Sequence, residues 1–584
     1  MKRFHQIGSF LRPFWKGLLA AAIFTALLTV VGMVAPLLMR RLVNDVARQG
    51  NWGIFHLVIG LLLAIPLLRA VLNVGNSICL NRVSLGLIEK TRKRMFRHLM
   101  RLSMRFYGEV PVGSINQRLM GDVANISALA SGGLIALLAD LLSLAFAVVV
   151  MLKISPKLSL LAFALLPAYM LNYWFFSNRI KRATSVLRAN MDHISSTLQE
   201  RLSAHELIQS YGQDKAEATH FCSQAKQVMD SAIRGQTYSA SFNQLSAFIN
   251  KLGNTAIYCA GCYYFIQGTM GYGDVIAFCA YATNLLGPVT RFAGVANQIV
   301  QAGVSIDRVN EVLDREPAIA EAPEPRAVEK LDGDIRLDGV TFNYGDGGQA
   351  LDRVHLEIPA GTHVAMVGPP GAGRSTLAML LRRFYDPDEG SIEVDGTDIR
   401  GYRLRDYRQA LAMVLPESAM FDGTIRENVC YGNPDVPEQR MVEVARALEL
   451  DAFVQELAMG YDTRVGTGGL RLSTGVQQKI GIARALLADP LILIVDEATA
   501  SLDPESAEHV NKAVQEAMQG RTCILIVHRV LMAENSDRVV VLDEGRVVET
   551  GVHGELLRHR EGLYRELFAR QYGDDRLPPV GGCQ

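Results

Sequence analysis

The chain has 584 residues, 49% hydrophobic and 20% charged, with 59 Lys+Arg against 59 Asp+Glu, a profile that excludes intrinsic disorder. The neutrality is a cancellation: residues 1–320 hold 31 Lys+Arg and 16 Asp+Glu, net +15, and the remainder holds 28 against 43, net −15. Such asymmetry excludes one averaged globular domain and points to two physically different environments.

No charge falls between Lys16 and Arg40, a run long enough to cross a hydrocarbon core of about 30 Å as a helix and too long for a cleaved signal peptide. Further apolar runs at about 53–80, 124–152, 158–178, 240–267 and 273–298 predict six membrane-spanning helices. Spans three and four are joined by a short turn at Ser155-Pro156, and five and six by Gly268 to Gly273, whereas 82–122 and 179–234 are long and polar. An even number of spans leaves both termini on one side. Arg82, Lys90, Arg92, Lys93, Arg94, Arg97, Arg101 and Arg105 mark that side as cytoplasmic. Arg69, Asp140, Lys251 and Arg291, with Asn172 and Asn254, are polar intrusions in the spans. They read either as pairs between helices and snorkelling ends, or as the lining of a central polar cavity that receives a substrate; Asp140, flanked by apolar runs, motivates the second reading. The eight cysteines follow no disulfide rhythm, and Cys259-Ala-Gly-Cys262, inside an apolar run, reads as close helix packing.

The first half is thus expected to be a helical transmembrane domain, residues 1–315, followed by a Pro- and Glu-rich linker at 316–333, a soluble domain at 334–575 and a disordered tail at 576–584. In the soluble part, His363 to Val367 reads as a strand leading into Gly368-Pro369-Pro370-Gly371-Ala372-Gly373-Arg374-Ser375-Thr376 and a helix, the context of a P-loop. Glycines let backbone N–H groups close around phosphates, the helix N-terminus adds positive dipole, and the Ser375 hydroxyl is a ligand for Mg²⁺. Leu491 to Val495 reads as a buried parallel strand ending in Asp496-Glu497. Asp496 is placed to hold the Mg²⁺ water shell and Glu497 to polarise an attacking water. A second apolar strand, Cys523 to Val527, ends in His528, within reach of a γ-phosphate.

Taken in this order, these motifs resemble the ATP-binding cassette (ABC) exporter half-transporters over nearly the whole chain. The resemblance implies an α-helical six-span transmembrane domain of the domain-swapped exporter type, fused to an α/β P-loop nucleotide-binding domain. It places Tyr344 on adenine, Leu472-Ser473-Thr474-Gly475-Val476 at the signature motif, with Ser473 and Gly475 as nucleotide contacts, and Ser501-Leu502-Asp503 at the D-loop. Phe106 to Ser114 resembles the start of the first intracellular loop, and Glu206 to Asp214 the second coupling segment. The implied assembly is a dimer with a second half-transporter, identical or related, in which two cassettes sandwich two ATP molecules with Mg²⁺. The implied setting is a bacterial inner membrane with the cassette in the cytoplasm.

Several positions depart from the family pattern, and they surround the γ-phosphate. Arg374 replaces the P-loop Lys, keeping charge but not shape. Glu417, in Leu415-Pro416-Glu417, stands in place of the Gln that contacts Mg²⁺ and water. Thr474 and Val476 replace Gly and Gln of the signature, and a Cβ at 474 is expected to crowd the phosphate and to disfavour the required φ. Thr467 takes a position that is usually Glu. The expectation is an ATP-dependent exporter of an amphipathic substrate, lipid, peptide or drug-like, with slowed hydrolysis and no nucleic-acid partner. The alternative is a pseudo-ATPase or regulatory half of a heterodimeric transporter, or an ATP-gated membrane switch.

Overall fold

The computed structural model describes residue 8 and residues 10–46, 52–328, 331–345, 348–415, 418–466, 468–496 and 504–573. The chain divides into two compact units. One comprises the residues up to Leu99 together with Gly113–Asp314; the other comprises Met100–Val112 and the residues from Arg315 onward.

The first unit is helical. Its long helices are α1 (Trp15–Arg41), α2 (Trp52–Leu99), α3 (Leu134–Ile154), α4 (Leu165–Ser203), α5 (Asp214–Ile266) and α6 (Tyr272–Leu313). Among the described residues, four helical stretches are long and apolar enough to cross a membrane: Arg12–Asp45, Trp52–Leu99, Ile135–Ile154 and Pro156–Ser203. Polar residues such as Asn250, Lys251 and Asn254 dilute the apolar stretch of α5. Leu63, Leu67 and Val71 of α2 lie on the outside, as expected of helices solvated by hydrocarbon rather than water. The turn at Ser155 carries its own stop and start. Ser155 accepts the Leu158 N–H at 3.4 Å, and Pro156 occupies the first helical position, where its missing N–H costs nothing.

The polar segments 82–122 and 179–234 are largely helical. At 53 residues α5 is about 80 Å long at 1.5 Å per residue, far more than a membrane core needs. Small residues allow its close packing: a Cβ on Gly261, within the Cys259–Cys262 stretch, would lie 2.6 Å from the Val275 side chain of α6. Asn172 of α4 ties that helix to α5, donating to Ser246 Oγ at 2.9 Å and to the Phe242 carbonyl at 3.3 Å.

The second unit is α/β. Its strands are β1 (Ile335–Asn343), β2 (Gln349–Ile358), β3 (His363–Val367), β4 (Glu389–Val394), β5 (Thr397–Asp398), β6 (Leu411–Val414), β7 (Ile492–Asp496), β8 (Thr522–Ile526), β9 (Arg538–Asp543) and β10 (Arg546–Gly551). An antiparallel sheet runs β2-β1-β4-β5, and a six-stranded sheet runs β10-β9-β3-β8-β7-β6. Its β9, β3, β8, β7 and β6 pair in parallel, and β10 is antiparallel. All five residues of β7 are buried, which is why it reads as an uninterrupted apolar run. Parallel strands aligned in this way collect their C-terminal ends on one edge, where ligands of such sheets bind.

The stretch 316–333, expected as a linker, is packed onto this unit. Arg326 bridges to Tyr402, Glu321 accepts the Leu404 N–H at 3.0 Å, and the Ala320 carbonyl accepts from buried Arg383 at 2.8 Å. Leu331 joins the central core. Pro and Glu set the composition, but the few apolar residues and backbone groups between them decide the structure. A short helix, Met104–Glu109, belongs to the same unit, with Phe106 buried and Glu109 accepting from Arg315 at 2.8 Å.

Candidate functional site

The nucleotide-site candidates gather where β3, β7 and β8 end. The loop from Gly368 to Gly373 connects β3 to helix α7 (Arg374–Leu381). A Cβ on Gly368 would sit 2.2 Å from the Leu542 carbonyl oxygen, so only glycine fits there. Gly371 and Gly373 have φ of +83° and +97°, conformations that L side chains rarely adopt. Within the loop the Ala372 N–H is spent on the Pro369 carbonyl at 3.1 Å, and Pro369 and Pro370 have no N–H to offer. Among the described residues, the N–H groups of Gly371 and Gly373 have no acceptor. The first N–H groups of α7 lack one by helix geometry. That is a cradle of donors for an anion.

Ser375 and Asp496 are brought together. The Ser375 hydroxyl lies near enough to the Asp496 carboxylate to favour its charged form. Burial pushes that carboxyl above its usual range, while the Ser375 hydroxyl and the Arg374 charge pull it back. A hydroxyl and a buried carboxylate side by side form a hard, oxygen-only pair that suits Mg²⁺. Tyr344 is 44% exposed, packs edge-on to Tyr385, and donates its hydroxyl to Thr376 Oγ1 at 3.2 Å. The hydroxyl end of the aromatic is thereby tied to the P-loop helix.

Arg374 is tied to the segment that follows β8. The residue is 6% exposed; Nη1 donates to the Val527 carbonyl at 2.7 Å, and Nη2 contacts His528 Nε2 at 3.3 Å. Arginine has no acceptor, so Nε2 must receive the bond and His528 is neutral with its proton on Nδ1. Burial, with Arg374 adding to it, holds the His528 imidazole below its usual value. Two further helices are α8 (Thr474–Leu487) and the C-terminal α9 (Leu563–Tyr572); Gln571 of α9 fixes the same loop, its Nε2 donating to the His528 carbonyl at 2.6 Å and its Oε1 accepting the Val530 N–H at 2.9 Å. Neither Val527 nor Gln571 belongs to a motif, and no local signal in the sequence marks them.

In the signature segment, Ser473 caps α8, accepting the Val476 N–H at 3.3 Å. Thr474 is the first residue of that helix and Gly475 the second, and Thr474 is absent from the positive-φ residues. The expectation that position 474 needs a φ hostile to a side chain is therefore corrected: helical φ suits threonine, and what its Cβ changes is steric approach alone. Val476 is half-buried against the helical core. Glu497, Glu417, Thr467 and Ser501-Leu502-Asp503 lie outside the described residues.

The helical unit holds a second candidate site, a cavity of about 500 Å³ lined from α1, α2, α3 and α6. Arg69, Asp140 and Arg291 line it. Arg291 grips Asp140 with both arms, Nε to Oδ2 at 2.8 Å and Nη2 to Oδ1 at 2.5 Å. Lys251 is exposed and Asn254 lines a separate, much smaller cavity. Asn73 and Asn76, which sequence reasoning missed, also line the main cavity. Their signal was spacing: Arg69, Asn73 and Asn76 recur at i, i+4 and i+7 on one helical stripe.

A donor cradle at a strand-to-helix turn, a hydroxyl–carboxylate pair at the next strand end and a membrane-type helical unit define a nucleotide-dependent membrane protein. The comparisons agree: residues 18–289 match the ABC transporter transmembrane region and residues 351–500 match the ABC transporter domain. The chain is 32% identical over 569 residues to the uncharacterized ABC transporter ATP-binding protein YknV of Bacillus subtilis, covering 97% of this chain and 94% of that one. It is also 32% identical over 568 residues to the ATP-dependent lipid A-core flippase of Desulfotalea psychrophila, covering 97% and 98%. A solved structure of a bacterial Atm1-family ABC exporter with ATP bound superposes with a TM-score of 0.80 at 27% identity, covering 96% of this chain and 98% of that chain. The chain belongs to the ABC transporter family, with the fused membrane and nucleotide-binding parts of an exporter half-transporter.

Proposed function

We propose that the chain is one half of a dimeric exporter that crosses the bacterial inner membrane six times. Its cassette lies in the cytoplasm and it moves an amphipathic substrate outward at the expense of ATP. The second half, a copy of this chain or a related one, supplies the signature segment that faces this P-loop. Gly371, Gly373 and the first N–H groups of α7 receive phosphate oxygens, Tyr344 flanks the adenine, and Ser375 with Asp496 would hold Mg²⁺, which neutralises charge developing on the phosphates. His528 and Glu497 are the groups proposed to act on the γ-phosphate and the attacking water, with Glu417 beside them.

The observation that carries the slowed-hydrolysis part of this reading is the position of Arg374. Its guanidinium occupies Val527 and the Nε2 of His528. The ion that a P-loop presents to phosphate is held in the wall, and the histidine nitrogen that would meet the γ-phosphate is already bonded. Each catalytic closure has to break that contact. The same observation favours a second reading, an ATP-binding regulatory half whose partner does the turnover. ATP-driven uptake of a fluorescent amphiphile into inverted vesicles separates the two. With this chain as the sole half-transporter in the vesicles, uptake that requires hydrolysis supports the exporter, and ATP binding with neither hydrolysis nor uptake supports the regulatory reading.

A further inference from the structure

The backbone that carries His528 is held at four points. The Val527 N–H donates to the Met366 carbonyl at 3.1 Å, extending the pairing of β8 with β3 by one residue, and the Val527 carbonyl takes Arg374 at 2.7 Å. The other two points belong to one side chain. Gln571 gives a donor to the His528 carbonyl at 2.6 Å and an acceptor to the Val530 N–H at 2.9 Å. Only an uncharged amide can serve both, since a carboxylate accepts and an ammonium donates.

The helix that presents Gln571 is itself anchored. Tyr564, Phe568 and Gln571 recur at i, i+4 and i+7 on one stripe of α9. Tyr564 and Phe568 are buried in the same core as Val527 and Val530, and the Tyr564 hydroxyl lies 2.7 Å from His553 Nδ1. The buried rings set the rotation of the helix. Gln571, although exposed, is therefore aimed at the loop by packing two turns away.

We infer that Gln571 is a positioning residue for His528, a brace from the C-terminal helix that fixes the backbone so that the imidazole reaches the γ-phosphate by side-chain rotation alone. The inference deepens the exporter reading and rests on the role proposed there for His528. Without the brace, ring and backbone move together, and fewer of the positions the ring visits are productive.

The test uses the full-length protein in nanodiscs. Gln571→Met keeps the length of the side chain and removes the amide; Gln571→Glu keeps an acceptor for Val530 and loses the donor to His528. Amide hydrogen exchange over 526–533, steady-state ATPase and binding of a fluorescent ATP analogue are measured on each. Gln571→Met is expected to speed exchange in that segment about tenfold, the scale of one lost hydrogen bond. It is also expected to lower kcat about tenfold while KM and analogue affinity stay within about twofold. Gln571→Glu is expected to keep the Val530 protection and to lose less of kcat. In a His528→Ala background, Gln571→Met is expected to change kcat less than about twofold, because its effect passes through the histidine. Unchanged exchange in Gln571→Met overturns the brace. Unchanged kcat there, a fall in kcat matched by a fall in analogue affinity, or a full tenfold loss in the His528→Ala background overturns the positioning role. If His528→Ala itself leaves kcat unchanged, the role proposed for the histidine fails and this inference fails with it. A slow His528→Ala protein beside an unimpaired Gln571→Met protein refutes this inference alone.

Discussion

Replacing Arg374 with lysine should make the enzyme faster and less stable at once. The guanidinium holds the Val527 carbonyl at 2.7 Å in a buried, charge-assisted bond and His528 Nε2 at a longer 3.3 Å. The first is worth about 1.5–3 kcal/mol and the second about 0.5–1.5 kcal/mol, by the usual range for such bonds. If closure must free only His528, the barrier carries about 1 kcal/mol from this contact, roughly a fivefold slowing. If Arg374 must also swing out to phosphate, the barrier carries about 2–4 kcal/mol, or roughly 30- to 1,000-fold, at 1.36 kcal/mol per decade. A lysine ammonium has no fork with which to hold both partners. Arg374→Lys should therefore raise kcat at saturating Mg-ATP about fivefold or more, and lower cassette stability by about 1.5–3 kcal/mol through the lost Val527 bond. Steady-state ATPase and thermal unfolding on the same preparation read both effects. A double-mutant cycle with His528→Ala isolates the coupling. A folded Arg374→Lys protein with unchanged or lower kcat and no coupling to His528 refutes the reasoning.

Three further outcomes follow from other parts of the molecule. Gly368→Ala and Gly371→Ala should fail differently: the first drives a Cβ to 2.2 Å from a backbone carbonyl and should cost about 3 kcal/mol of stability or more, whereas the second meets nothing within 4 Å and should cost only about 1–2 kcal/mol through its φ of +83°, with nucleotide affinity the main loss. Similar melting temperatures for the two would contradict this. At the membrane pair, Arg291→Gln should destabilise more than Asp140→Asn, because it strands a carboxylate whose side chain is 6% exposed, whereas the arginine left behind is 58% exposed and can reach polar surroundings. The expected gap, discounted for that exposure, is about 1–2 kcal/mol in detergent unfolding; the reverse order would refute it. Burial holds His528 and His553 below their ordinary 6.5. As pH falls through 6.5 the unfolded chain takes up these protons first, so stability is full above that value and is lost below it. Melting temperature should drop between pH 7 and 5.5, and less steeply in His553→Gln; identical slopes would count against the assignment.

Much of this was legible in the sequence because single residues carried it. The uncharged run after Lys16, the buried run ending in Asp496 and the glycines at 368, 371 and 373 each state their conformation locally. The rest depended on distant partners. Arg374 was legible as a substitution but not as a tether, since the carbonyl that captures it lies at Val527, just past the end of β8. The 316–333 stretch looked loose by composition, while Glu321, Arg326 and Leu331 find their partners only in the folded cassette. Thr474 was misjudged because motif comparison suggested a special backbone, whereas the residue simply begins a helix. The cavity stripe at 69, 73 and 76 was present in the spacing but meaningless until α1, α3 and α6 closed around it.

The most direct test of the whole account is the number of fluorescent amphiphile molecules moved per protein dimer in proteoliposomes, measured with ATP and with a non-hydrolysable analogue. The account predicts slow but repeated movement with ATP, well beyond one molecule per dimer and faster in Arg374→Lys, and at most a single stoichiometric event with the analogue. Movement that stops at one molecule with ATP, or that proceeds equally with the analogue, would contradict it.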